Sequence, residues 1–297
     1  MHRNVNLWNR IPTALATCAV VIALAPIASA QIEPQYRDVV YGMVDGMDLG
    51  LDVYMPANVD SPPLIVFVHG GAWRAGTKDR APAVFVENGY ALASLDFRQS
   101  GDANFPAMIH DIKGAVRYLR AHAEDYGYDP DRMAITGESS GGHLAALVGV
   151  TNGVAELEGN VGGHTQISSD IQAIMSYFGA SDLTTILDQS TPFGLGLREP
   201  ALEALLGKVP ADDPETARLA SPVFHVDAND PPLLLFHGDR DPQMPINQAH
   251  ELEGAYEALG MDVTFDVVHG SAHGGPGFYD ELHLPTALEF LGRTLGK

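Results

Sequence analysis

Ser139 is the residue whose neighbours best equip it for chemistry. It stands in Gly137-Glu138-Ser139-Ser140-Gly141, a G-x-S-x-G spacing. A serine hydroxyl attacks a carbonyl carbon efficiently when a base takes its proton, an acid orients that base, and N–H groups stabilise the oxyanion that forms. Candidates for each part occur elsewhere in the chain. Asp241, in His237-Gly238-Asp239-Arg240-Asp241-Pro242, can accept the ring N–H of a histidine. It is preferred to Asp239, which sits in the tight His-Gly-Asp turn, where aspartate commonly bonds its own loop. His273, in His269-Gly270-Ser271-Ala272-His273, lies in a glycine-rich loop that can carry it toward the serine. His269 directly ends an apolar run and fits a structural role. The expected oxyanion donors are the backbone N–H groups of Ser140, Gly71 and Ala72, the latter two in His69-Gly70-Gly71-Ala72-Trp73. Trp73 is expected either in the core or as a wall of the acyl pocket, and His69 as a brace for its loop. His110, His122 and His143 fall in helical stretches and are expected as surface or core residues. The spacing from His269 to His273 lies in a loop rather than on one helix face, so no metal site is expected.

These residues need elements to hold them. Asp131 to Gly137 reads as a short buried strand and Ser140 to Thr151 as a charge-poor helix, with Gly137 and Gly141 leaving room for a sharp turn between them. The helix start aims unsatisfied N–H groups and a positive dipole end at whatever the serine attacks. Earlier, Tyr36 to Met55 alternates apolar and polar residues around Asp45-Gly46, which predicts a β-hairpin. Leu64 to Val68 is an unbroken apolar run of the kind buried on both faces of a parallel sheet. Asp79 to Gly89 predicts a helix, Tyr90 to Asp96 a strand, and Asn104 to about Asp125 a long helix with Pro106 in its first turn. A glycine-rich loop from Gly153 to Ser169 leads into a strand at Ile171 to Phe178. The mixed helical patterns of Ser181 to Leu219, broken by prolines and glycines, predict a small cap or insertion. Strands at Pro231 to His237 and Met261 to Val268 alternate with helices at Pro245 to Leu259 and Phe278 to Leu295. Such alternation predicts an α/β fold, a mostly parallel sheet covered on both faces, with an N-terminal antiparallel strand pair. All the candidate site residues follow strands, where ligands bind in open α/β sheets.

The first thirty residues read as a signal peptide rather than as part of the fold. Arg3 and Arg10 give a basic start, Ala14 to Ala25 is an apolar run too short to span a bilayer, and Ala28-Ser29-Ala30 is an A-x-A cleavage site. The expectation is a secreted or periplasmic protein starting near Gln31, with no membrane anchor once the leader is removed, and one domain over residues 31–297. Cys18 is the only cysteine and leaves with the leader, which excludes disulfides and thiol chemistry in the exported chain. The net charge is −21, and loss of Arg3 and Arg10 takes it to −23. Such an acidic chain argues against nucleic acid or an anionic membrane as partner, and repels polyanions unless a local patch intervenes.

With His-Gly-Gly-Ala-Trp, Gly-Glu-Ser-Ser-Gly-Gly, His-Gly-Asp-Arg-Asp and Gly-Ser-Ala-His-Gly in this order, the chain resembles the α/β-hydrolase esterases related to hormone-sensitive lipase. More narrowly it is similar to the bifunctional feruloyl and acetylxylan esterase group, whose opening strand pair matches Asp38-Val39-Val40-Tyr41-Gly42 through Leu51-Asp52-Val53-Tyr54-Met55-Pro56. The resemblance implies the α/β-hydrolase fold and serine ester hydrolysis without a cofactor, with Ser139, Asp241 and His273 as the triad. It points to small or medium acyl esters, with acetyl or feruloyl groups on plant polysaccharide as candidates. Three positions depart from the family pattern: Ala72 replaces a frequent glycine, Ser140 an alanine and Met244 a valine. The first two act through backbone N–H groups, so the departures bear on pocket shape more than on catalysis. The His-Gly-Gly-x-Trp stretch is also similar to kynurenine formamidase, and Ser221-Pro222-Val223-Phe224-His225 with His237 to Asp241 to prolyl oligopeptidase catalytic domains. Amidase or peptidase action is therefore the second expectation, although export argues against the formamidase. A non-catalytic binding module on this fold would need a broken triad, whereas all three residues are present. Nothing in the sequence sets an oligomeric state.

Overall fold

A run of residues that alternates two buried faces builds the middle of the molecule. In the computed structural model, which describes residues 32–296, Pro63–Val68 (β3) is buried throughout. Leu64, Val66 and Val68 enter one apolar cluster, while Ile65 and Phe67 enter another. This period of two is the geometry of a strand with helices on both sides. The other central strands repeat it: Ala91–Leu95 (β4), Asp129–Glu138 (β5), Ala173–Tyr177 (β6) and Leu233–Gly238 (β7). Tyr36–Val44 (β1) and Met47–Tyr54 (β2) form the expected hairpin at one edge, and Val263–Val268 (β8) closes the other. The eight-stranded sheet has the order β1-β2-β4-β3-β5-β6-β7-β8. Pairs β1·β2 and β2·β4 are antiparallel and the rest parallel. This is the α/β-hydrolase architecture that the motifs imply. The expected leader, residues 1–30, and Cys18 within it lie outside the described residues.

Helices Ala107–Ala121, Ser140–Gly149 and Asn247–Ala258 press Ile112, Val116, Leu144, Leu147 and Leu252 onto one face of the sheet. The short helix Ala83–Glu87 and the closing helix Leu284–Leu295 cover the other with Phe85, Phe290 and Leu291. Several elements are shorter than their patterns predict. The helix expected from Asp79 to Gly89 divides into a 3-10 turn at Lys78–Arg80 and five α-helical residues. The long helix ends at Ala121, and a separate turn at Ala123–Tyr126 finishes on Gly127 in the left-handed region. The closing helix begins at Leu284, because Pro276–Tyr279 forms its own 3-10 turn and Pro285 fits a helix start. Residues 181–219 hold the helices Ile186–Gln189, Pro192–Leu206 and Pro214–Leu219 between β6 and β7, where the cap is expected. Among the described residues no helix is long and apolar enough to cross a membrane.

Candidate active site

Ser139 is the single residue between β5 and the helix Ser140–Gly149, and its backbone is bent to φ 55°, ψ −122°. A non-glycine residue in that conformation stores about 1–3 kcal/mol of strain, which its surroundings must hold. Its N–H donates to the carbonyl of Tyr177 at 2.9 Å, and its carbonyl accepts from the N–H of His143 at 3.1 Å. The flanking glycines are required by backbone contact. A Cβ at Gly137 would lie 2.3 Å from the carbonyl oxygen of Gly141, and one at Gly141 would lie 2.1 Å from that of Val68.

Strands β7 and β8 pair from Leu233↔Val263 to Gly238↔Val268, so the loops that follow them leave the sheet at the same level. That register sets two aspartates beside two histidines and sorts them into pairs. His273 Nδ1 lies 2.6 Å from Asp241 Oδ2, and His273 Nε2 lies 2.8 Å from Ser139 Oγ. His269 Nδ1 lies 2.8 Å from Asp239 Oδ2 in an exposed pair with His269 83% accessible. The carboxylate facing Nδ1 of His273 places the ring hydrogen there and leaves Nε2 as the acceptor for the serine hydroxyl.

Asp241 has further support that its local sequence does not announce. Its Oδ1 accepts from the N–H groups of Gln243 and Met244 at 2.8 and 2.9 Å. His237, fully buried at the end of β7, brings Nε2 within 3.4 Å of Oδ2 and 3.0 Å of the Met244 carbonyl. Both neighbours of that nitrogen are acceptors, so it carries the ring hydrogen and donates. Burial of the Asp241 carboxyl disfavours its charge, but the hydrogen bonds from His237, His273 and Met244 outweigh it and hold Asp241 well below the usual carboxylate range. Phe178, one residue past β6, sets its ring edge-on to His273 with centroids 4.8 Å apart. His237 and Phe178 share with the expected residues a place at the carboxyl end of a strand, the signal by which they could have been found.

The His69 to Trp73 loop meets the site from β3. Gly71 and Ala72 line the cavity that holds Ser139, whereas Ser140 opens the helix, where first-turn N–H groups lack intrahelical acceptors. Trp73 is not a pocket wall, which corrects its candidacy as a substrate-contacting residue. It is 1% exposed and its indole Nε1 donates to His143 Nδ1 at 3.0 Å. His143 Nε2 in turn donates to the carbonyl of Ala220 at 2.7 Å. The indole turns inward because its one donor finds a buried acceptor there. His69 is buried and stacks on Phe97 with centroids 4.5 Å apart, as a loop brace should.

The cavity over Ser139 and His273 has a volume of about 400 Å³, with Phe178 and Leu197, on the helix Pro192–Leu206, among its walls. A larger, shallower hollow of about 920 Å³ beside β1 contains none of the candidate residues. Three arginines, Arg74, Arg80 and Arg198, face one carboxylate, Glu138, around the smaller cavity. The arrangement equips Ser139 to attack a carbonyl, with His273 moving the proton and Asp241 balancing the ring's charge.

A family model described as BD-FAE matches residues 51–256. A probable carboxylic ester hydrolase, LipM, of Mycobacterium tuberculosis is 32% identical over 71% of this chain and 49% of its own. The chain spans only 49% to 62% of the length of three such curated relatives. Among solved structures, a truncated carbohydrate esterase from gut microbiota superposes with a TM-score of 0.80 at 32% identity, covering 91% of this chain and 99% of that one. Esterase 2 of Thermogutta terrifontis, phosphonylated by sarin, does so with a TM-score of 0.72 at 27% identity over 88% of this chain and 95% of that one. The same esterase has been solved with propionate bound.

Proposed function

The chain belongs to the BD-FAE family, and on that premise we propose that it is a serine carboxylic ester hydrolase for small to medium acyl esters. The observation that carries this is the continuous chain from Ser139 Oγ through His273 to Asp241, at 2.8 and 2.6 Å. As Ser139 Oγ attacks the ester carbonyl carbon, its proton passes to His273 Nε2. The tetrahedral oxyanion is held by the N–H groups of Gly71, Ala72 and Ser140, each such donor being worth about a hundred- to a thousandfold in turnover. His273 returns the proton to the departing alcohol oxygen as the carbon–oxygen bond breaks, leaving an acyl group on Ser139. Water activated by His273 then releases the acid and restores the serine.

Within that class we place acetyl and feruloyl esters of plant polysaccharide among the substrates, and an exported location. The gut carbohydrate esterase supports the first, and the apolar leader with its A-x-A site the second. Ser139→Ala lowers hydrolysis of 4-nitrophenyl butyrate by at least about 10⁴-fold while circular dichroism stays that of the folded protein. A fluorophosphonate labels the wild-type protein and leaves the Ser139→Ala variant unlabelled. Retained turnover in the variant would remove Ser139 as nucleophile, and activity confined to N-formyl amides would overturn the ester assignment.

A further inference from the structure

Arg198 is buried at 3% exposure on the helix Pro192–Leu206, yet it lines the cavity above Ser139. Its guanidinium is poorly satisfied. Nη2 donates to the carbonyl of Gln243 at 2.8 Å, and Nε is buried with no hydrogen-bond partner among the described residues. The carboxylate of Asp241 lies near enough for its charge to favour the cationic guanidinium but forms no hydrogen bond with it, because both oxygens are already engaged by Gln243 N, Met244 N, His273 and His237. Glu138, the one carboxylate on the cavity wall among the described residues, accepts from the hydroxyl of Tyr279 at 2.8 Å. Arg74 and Arg80 stand exposed at the same cavity, and neither they nor Arg198 forms an ion pair among the described residues. A chain of net charge −21 has thus gathered three unpaired arginines around its candidate nucleophile. Burial costs a guanidinium its hydration, and its planar set of N–H donors matches the two oxygens of a carboxylate.

We propose that this cavity selects esters that also carry a carboxylate, with Arg198 binding that carboxylate through its planar fork and Arg74 and Arg80 drawing the anion in. The inference rests on the esterase function and narrows its substrate class. Burial brings the Arg198 pKa down to about 10, so the group remains cationic at neutral pH.

The test compares kcat/KM for mono(4-nitrophenyl) glutarate with that for 4-nitrophenyl butyrate, placing the carboxylate on the acyl side. Acetylated galacturonic acid against acetylated galactose places it on the alcohol side. The wild type is expected to prefer the acidic member of at least one pair, and Arg198→Met to reduce that preference about 10- to 100-fold. Raising the salt concentration reduces it further in the wild type than in Arg74→Gln/Arg80→Gln protein. An Arg198 that only pins the Gln243 loop would lower both members of a pair equally, and that outcome overturns the proposal, as does equal turnover of both members by the wild type. Calorimetry of monomethyl glutarate on Ser139→Ala protein, with and without Arg198→Met, reads the carboxylate site independently of turnover. If the wild type hydrolyses no ester, the esterase function has failed and this binding measurement alone decides: Arg198-dependent binding upholds the carboxylate site, and its absence rejects it.

Discussion

At the scale of single residues, the structure separates groups that look alike in the sequence. Asp239 and Asp241 lie two positions apart, and His269 and His273 four apart, yet only Asp241 and His273 join Ser139. The outer pair is solvent-exposed, where water and salt screen an ion pair and leave it little weight in stability. His269→Ala should therefore keep turnover of 4-nitrophenyl butyrate within about threefold, whereas His273→Ala should lose at least about 10⁴-fold. Steady-state kinetics on the two variants checks this, and a dead His269→Ala beside an active His273→Ala would reverse the assignment. The preference for Asp241 rests on the tight turn that holds Asp239, and the pairing itself comes from the register of β7 and β8. The support from His237 was not legible in the sequence, because a histidine ending a buried strand looks the same whether it packs or positions.

At the scale of elements, His143 links three segments that are distant in sequence. It sits on the helix after Ser139, accepts from Trp73 in the His69 to Trp73 loop and donates to Ala220, just past the helix Pro214–Leu219. Protonation would put a second hydrogen on Nδ1, facing the indole N–H, and burial pushes the His143 pKa down to about 4. An unfolded histidine titrates near 6.5. Because the folded pKa lies lower, the unfolded state binds the extra proton first, and stability falls as the pH drops from about 6.5 to about 4. The loss is on the order of 3 kcal/mol at the bottom of that window. Glutamine at 143 can accept from the indole and donate to Ala220 without titrating. Thermal melts should therefore decline less steeply over that window in His143→Gln than in the wild type, and parallel declines would exclude His143 as a source of acid sensitivity. Strands and long helices were readable from periodicity, but their ends were not. The 3-10 turns at Lys78–Arg80 and Pro276–Tyr279 carry helix-like residue patterns, but the α-helices that follow start afresh beside Pro82 and Pro285.

At the scale of the whole molecule, the acidic surface and the arginine-lined cavity have opposite sign, so the net charge of −21 says little about the charge a substrate meets. Expressed with its leader in a bacterium that exports proteins, the chain should accumulate outside the cytoplasm with a mature start near Gln31. N-terminal mass spectrometry checks this, and an intact Met1 on exported protein would refute the cleavage. The sequence by itself determined the parts that short-range chemistry dictates: the serine turn with its crowded glycines, the apolar strands and the order of serine, aspartate and histidine. Only the tertiary structure decided which aspartate meets which histidine, that Trp73 faces the core, and that Arg198 reaches the nucleophile's cavity. Those outcomes depend on strand register, on side-chain direction in irregular loops and on how the helix Pro192–Leu206 packs, which couple residues tens of positions apart through the packed sheet. Local patterning carries no record of them.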